Sequence, residues 1–521
     1  MKEAVMDKEI TRTAPSGAAS EADAAVRVPH DMTGEVVLPD YLPPIGRIIS
    51  FSAAALDGNR FYDPPSLEAS GLLACSVTYA GDDGGIVSYP VNLDYSVKVP
   101  VGDGGGSAQS YFVRTDVGSP VCRATAPRKL SLSAKLTTAV FSVKSSDVTP
   151  RASADGEGSE GAGIEYRLVP VPSSTVRFLR ATGETTGDLP VPAAGGDEAQ
   201  PKIVNCAGVS YVTGVAAAPE SVTVRGETVV TCLVLTPDGE YKTVSAKAPF
   251  EEKLAADGPV AEEGEPGAAA FVRCASVNVS EAGGAFVFSA EHDVDAELWR
   301  TSETPAATDA YCTEFASETV MREARPVRFC GSVASTVTAS GSARLPGNGE
   351  RFVISTSSRT SGGSSEVTED GRLILSGQCS VTAAVAGGGK AEPVDVTFPF
   401  RFESPLGGAC GTPTVRWEAS VISAAARPDG ERLNVTAEIA VSASVTATER
   451  IGTVCEVKIK TGEPVAAKRS SVRVFFPDGR ATAWDVMRRF SSDPDDVTVL
   501  RGDSDPTSPL PKGAAVIVNG R

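Results

Sequence analysis

The chain has 521 residues and a net charge of −18, with no basic stripe along it. A chain this acidic is repelled by phosphate backbones and by anionic lipid surfaces, which argues against nucleic-acid binding and against attachment to a membrane surface. No stretch approaches the roughly 20 apolar residues of a spanning helix, so no membrane span is expected.

Hydrophobic residues make up 41%, enough for packed cores. Gly and Pro together number 87 (51 + 36), which suits many turns rather than long helices. At roughly 150 residues per domain, three or four domains are expected.

Residues 1–32 are polar, charged and Ala-rich, and read as a flexible arm. The opening MKEAVMDKEITRTAPSG has charges where a signal peptide needs an apolar core, so a cytoplasmic protein is expected. Beyond the arm the chain repeats itself. LEASGLLACSVTYAGDDGGIVSYPVNLDY (67–95), VTVRGETVVTCLVLTPDGEYKTVSAKAPF (222–250) and LILSGQCSVTAAVAGGGKAEPVDVTFPF (373–400) align on Gly71, Gly226 and Gly377. Each glycine opens an alternating apolar–polar run that ends in a Gly-containing turn, the signature of a strand and hairpin.

Two further anchors hold the register. Extended starts precede each glycine at 47–53, 202–208 and 351–357, and alternating runs follow at 129–143, 285–299 and 432–445. Two upstream strands, 174–184 and 325–335, enter the second and third copies with a shared VRF. Short alternating strands in threefold repetition predict a mainly β protein with three antiparallel β-sandwich-like repeats, at 33–150, 163–312 and 313–455. Looser stretches at 145–163, 181–200 and 300–312 separate them. An acidic loop, 251–267, reads as a solvated surface.

The ten cysteines include no CxxC pair, and His30 and His292 are the two histidines, so zinc-ligand spacing is missing. The cysteines are expected to be reduced and to act as small buried residues. Even offsets from the anchor put Cys75, Cys232 and Cys379 on one strand face, the inner one. His30 falls in the arm, and His292 is expected on a solvated strand face. Neither accompanies a motif-bearing nucleophile, so no catalytic residues, metal or cofactor are expected. GGGK (387–390) reads as a hairpin turn. RGDS (501–504) is a chance match, and NVS (278–280) and NVT (434–436) lie in strand runs.

The end of the chain changes character. After a strand at 471–479, Thr482 is suited to an N-cap. Ala483, Val486, Met487 and Phe490 then form one apolar stripe at helical spacing. Asp485 in the first turn and Arg488 and Arg489 in the last suit the helix dipole. DPDDVTVL (493–500) suggests a second helical turn, and LPKGAAVIV (510–518) a closing strand.

This order, with Thr482, Ala483, Trp484, Val486, Met487 and Phe490 in place, resembles a LysM domain, a small α+β module, at 471–521. It departs from that pattern where Arg480 and Ala481 replace the turn Gly and acid, unless Gly479 serves with a one-residue slip. Near Arg501 and Gly502 the usual Asn is missing. VVLPDYLPPIGRIISFSA (36–53) resembles the opening of a SipL/SPOCS domain, and DAYC (309–312) is similar to the stretch that follows such repeats.

Repeats followed by a C-terminal LysM resemble the SipL-like spore-coat morphogenetic proteins. The resemblance implies a non-enzymatic scaffold on the mother-cell side of the forespore surface. Its tail would bind the coat's basement-layer ATPase or other coat proteins. The alternative is a peptidoglycan binder that reads GlcNAc glycan. In either case the resemblance puts the contact loops at Gly479, Arg480 and Thr482, and at Gly502, Asp503 and Ser504. Ala483, Trp484, Val486, Met487 and Phe490 would form the module's core.

Overall fold

In a computed structural model of the chain, each anchor glycine is the sixth residue of a central strand: Ser66–Gly81, Ser221–Leu235 and Arg372–Gly387. The structure describes residues 10–15, 18–22, 25–82, 84–102, 109–154, 163–190, 200–256, 264–282, 285–345, 351–387, 390–406, 411–465, 472–500 and 508–519. Each central strand sits between two neighbours in an antiparallel meander. The neighbours are Ile45–Asp63 and Ile86–Pro100, Lys202–Ala218 and Tyr241–Ala255, and Phe352–Val367 and Lys390–Pro405.

A second sheet covers each meander. Its middle strand is the last of the repeat, paired with the first and the penultimate ones. In repeat 1, Lys129–Asp147 lies between Val26–Val37 and Gln109–Ala126. In repeat 2, Ala285–Cys312 lies between Ile164–Leu189 and Glu265–Ala282. In repeat 3, Arg432–Thr448 lies between Val327–Arg344 and Thr412–Asp429. The fold is therefore mainly β, built of antiparallel sheets, as the alternation predicts. Cys75, Cys232 and Cys379 all point into these sandwiches. Burial pushes the thiols of Cys75 and Cys379 up to about 11, so they pack as neutral residues.

The anchor glycines recur for a steric reason. Gly71, Gly226 and Gly377 stand directly across from Tyr95, Phe250 and Phe400. A Cβ there would lie 2.6 Å from Tyr95 Oη, 2.6 Å from Phe250 Cε1 and 2.7 Å from Phe400 Cε1, so the aromatic ring occupies the space a side chain needs. The opposite strand bulges at the same place in every repeat, between Asp57 and Arg60, Val212 and Gly214, and Ser361 and Gly363.

A second triplet of glycines escapes the sequence reading. Gly34, Gly187 and Gly341 follow Thr33, Thr186 and Ser340 in the first strands. A Cβ on them would press on Leu93 (2.9 Å), Phe288 (2.7 Å) and Phe398 (2.5 Å).

Several expectations need correction. Residues 1–32 do not form a flexible arm where they are described. Ala18–Ala22 and Val26–Val37 are strands on Lys129–Asp147, and Ile10–Thr11 pairs with Ile164–Leu189. The segment alternates polar and half-buried residues because it is a sheet edge, which composition alone reads as unstructured. His30 accordingly lies in a strand opposite Leu136.

His292 is fully buried rather than solvated, because its strand register points it between the sheets. The stretches expected to be loose at 181–189 and 300–312 are ends of the 26- and 28-residue strands of one long antiparallel pair. Cys206 and Cys232 are not reduced. They oppose each other across adjacent strands and form a disulfide. Of the acidic loop, Glu251–Ala255 and Glu265–Gly267 are strand ends, and 257–263 lies outside the described residues.

This long strand pair organises the rest of the molecule. Its far end is covered by a small sheet of Phe315–Ala324, Ile451–Pro464 and Arg151–Ala154, the last pair parallel. Ile164, Tyr166, Ala310 and Cys312 pack there on Val454, Val457 and Ile459. The middle of the pair, around Val176 and Trp299, is where the three repeats meet. Phe112 and Phe141 of repeat 1, Phe271 and Trp299 of repeat 2, and Val327 of repeat 3 share one cluster.

An ionic network tightens this junction. Arg60 and Arg114 of repeat 1 reach Asp295 of repeat 2, at 3.3 and 3.5 Å, and Arg114 also pairs with Glu418 of repeat 3. Arg273 of repeat 2 donates to the Ala55 and Thr115 carbonyls of repeat 1 (3.0 and 2.7 Å) and to Glu418 (3.3 Å). Arg416 of repeat 3 forks onto Glu297 of repeat 2 and lies 3.9 Å from the Phe141 ring of repeat 1. The repeats are one packed body, not beads on a string.

Candidate functional site

The tail is built from a strand Val472–Phe475, the helix Ala483–Phe490, a 3-10 turn Pro494–Asp496, and strands Val497–Leu500 and Ala515–Asn519. The expected second helical turn covers only Pro494–Asp496. Val497–Leu500 instead pairs with Ala515–Asn519, which also pairs with Val472–Phe475. The helix begins at Thr482, whose hydroxyl accepts from the Asp485 N–H while the Asp485 carboxylate accepts from the Thr482 N–H. This reciprocal box satisfies two donors that a helix start leaves free. Ser491 ends the helix in the left-handed conformation, and its N–H donates to the Arg488 carbonyl.

Ala483, Trp484, Val486 and Met487 are buried, with Phe490 packed alongside. That core is not confined to the tail. Ile10 and Tyr311 of the body belong to the same cluster. Tyr311 meets Trp484 edge-on at 5.1 Å between centroids, and its hydroxyl donates to the Ser492 carbonyl at 2.7 Å. Trp484 Nε1 donates to Asp309 Oδ2 at 2.8 Å, and Arg488 Nη1 donates to the same oxygen at 2.7 Å. Arg12 bridges Glu165 of the long strand pair (2.7 Å) and Asp493 of the tail.

DAYC is thus the seat of the tail: Asp309 and Tyr311 both hold the helix. Burial, aided by the Glu165 and Asp493 carboxylates, pushes the Tyr311 hydroxyl up and keeps it a neutral donor. Burial likewise pushes Glu165 up, against the pull of Arg12.

Seating the helix leaves the other face of the tail sheet outward. Val472, Val474, Phe476 and Leu500 are 66%, 51%, 69% and 44% exposed. Val474 and Thr498 flank Ile517 on that face. Three exposed large apolar side chains on one small sheet, with Phe476 just beyond it, are more than the scattered singles normal for a surface.

Of the loop residues singled out in the sequence, Gly479 adopts a left-handed turn (φ 91°) beside Arg480, whose N–H donates to Asp478 at 2.9 Å. The Thr482 side chain is engaged in capping. Gly502, Asp503 and Ser504 lie outside the described residues. The exposed face was missed in the sequence. Its signal is the run VRVFF, which places Val472 and Val474 on one side of a strand with Phe476 just beyond.

Among the described residues no group of three or more His, Cys, Asp or Glu is arranged to hold a metal ion. No helix among them is long and apolar enough to cross a membrane. Comparisons of the chain with protein-family models, curated proteins and solved structures found no match.

Proposed function

We propose that the protein is a non-enzymatic scaffold of spore-coat assembly, which localises coat material at the forespore surface through protein–protein binding by its LysM-like tail. The observation that carries this reading is the outward apolar sheet of the tail. The junction charges Arg60, Arg114, Arg273 and Arg416 pair with Asp295, Glu297 and Glu418 between repeats, so the body acts as a stiff mount. The tail is fixed to it by Asp309, Tyr311 and Arg12, so the face bearing Val472, Val474 and Phe476 is held at a set angle. A basement-layer ATPase or another coat protein is the proposed partner.

Co-purification from sporulating cells tests this. The full chain should retain the coat ATPase, and Val474→Asp should lower retention at least tenfold. Burying one valine contributes about 1.5–3 kcal/mol, and a carboxylate in its place resists desolvation. Retention unchanged by Val474→Asp, or no retention by the wild type, overturns the reading. Sedimentation of the wild type with purified cell walls, without ATPase retention, would point to glycan instead.

A further inference from the structure

Repeat 2 places an ionisable pair, His292 and Glu252, in the middle of its sandwich, at positions that are apolar in its sister repeats, although repeat 1 has a histidine, His30, across the same rung. Counting from the shared glycines Gly34, Gly187 and Gly341, the rung four residues earlier is His30–Leu136 in repeat 1, Gly183–His292 in repeat 2 and Val337–Ile439 in repeat 3. On the facing sheet, two residues beyond Tyr95, Phe250 and Phe400, come Val97, Glu252 and Phe402. Repeat 2 therefore has His292 and Glu252 at the positions of Leu136 and Val97 in repeat 1, where His30 stands across the rung, and of Ile439 and Phe402 in repeat 3.

The surroundings of His292 do not satisfy it. Its side chain is 0% exposed, and neither ring nitrogen has a hydrogen-bond partner. Nε2 is 3.5 Å from Glu252 Oε1, and the ring lies 4.2 Å from that of Phe250. Thr185 Oγ1, one inward position along, is also buried without a partner. Gly183 makes room for the imidazole, since a Cβ there would lie 2.5 Å from Nε2. The other titratable neighbours are Cys274 across on the adjacent strand and Asp293 next in the chain, which is held by Arg180 at 3.2 Å.

We propose that His292 and Glu252 form a proton-operated latch: on acidification His292 takes up a proton and repeat 2 opens locally while repeat 3 stays closed. The protonated ring has two N–H donors. Glu252 can take Nε2–H, but Nδ1 is buried with no hydrogen-bond partner, so its N–H would be an unmet donor on a buried cation.

The sign follows from the burial. Desolvation pushes His292 below its ordinary value, outweighing the upward pull of Glu252. The opened state therefore binds the proton first. Full stability is present above about pH 6.5 and falls as the pH drops toward the folded-state value. One proton raises the opening constant by up to roughly tenfold per pH unit in that window. Arg180, three residues before Gly183, donates to the Asp57 and Gly58 carbonyls of repeat 1, so loosening here reaches the junction between repeats.

Hydrogen exchange on the full chain at pH 7.5 and 5.0, corrected for intrinsic rates, tests the latch. Protection in Ile164–Leu189 and Ala285–Cys312 should fall at least tenfold more than in Val327–Arg344 and Arg432–Thr448. His292→Leu, which copies Leu136, should remove the difference. Equal responses in the two repeats, or a difference that survives His292→Leu, overturns the proposal. Should that variant fail to fold, histidine NMR on the wild type decides. A His292 ring that stays neutral until repeat 2 loses protection supports the latch. A ring that titrates while repeat 2 remains protected refutes it.

Discussion

Glu297→Gln should loosen the whole junction although it barely changes side-chain shape. Glu297 is fully buried. Its Oε1 accepts from Arg416 Nε at 2.9 Å. Its Oε2 accepts from Arg416 Nη2 (2.6 Å), Ser444 Oγ (2.6 Å) and Trp299 Nε1 (2.9 Å). Glutamine can keep one acceptor, but its amide NH₂ would then face at least one of these donors. Arg416, half-enclosed against Phe141, loses its counter-charge. Breaking a buried pair from one side costs about 3–5 kcal/mol. At roughly 1.4 kcal/mol per decade, that is two to three and a half orders of magnitude in local opening.

A chain of several packed units does not unfold as one two-state system, so site-resolved hydrogen exchange is the right assay. The strands Ala285–Cys312 and Thr412–Asp429 should lose protection together, because the pair joins them. Replacing both partners, Glu297→Leu with Arg416→Leu, should lose less than the sum of the single changes. A Glu297→Gln effect below about 0.5 kcal/mol, or additive single changes, would refute the reasoning.

Asp309→Ala should free the tail by removing the acceptor of both Trp484 and Arg488. A cost of about 1–3 kcal/mol is expected, read as faster exchange in Ala483–Phe490 with the repeat strands unchanged. Gly226→Ala should cost about 1–3 kcal/mol by pressing on Phe250, whereas Gly214→Ala, with nothing within 4 Å, should be near neutral. Thermal melts of both variants check this, and equal shifts would remove the steric account of the anchor glycines.

Much of the fold was legible because one constraint was written three times. Gly71, Gly226 and Gly377 stand out in the sequence since an aromatic across the strand tolerates no other residue there. The Thr/Ser-Gly steps at Gly34, Gly187 and Gly341 obey the same physics. Their surroundings are edge strands of mixed polarity, so the periodicity around them is weak. That weakness also hid Val26–Val37.

The helix, its cap and its buried stripe could be read locally, because capping and amphipathicity act within a few residues. The seat on Asp309 and Tyr311 could not, since contacts across some 180 positions leave no local pattern. His292 was misplaced for a related reason. Its acidic neighbours in AEHDVD suggest solvent, yet register decides which face is buried.

The bridge from Arg12 to Asp493 joins residues 481 positions apart, and Ile10 shares a core with the helix beside it. During synthesis Ile10–Thr11 can pair with Ile164–Leu189 early, but the side of Ile10 and Arg12 that meets the tail stays uncovered until the helix is made. The tail core can therefore close only after the strand Ala515–Asn519 has left the ribosome. Its completion reports that synthesis has passed the strand Ala515–Asn519, and a chain stopped before the helix would expose Ile10 and Tyr311 as a mark of failure.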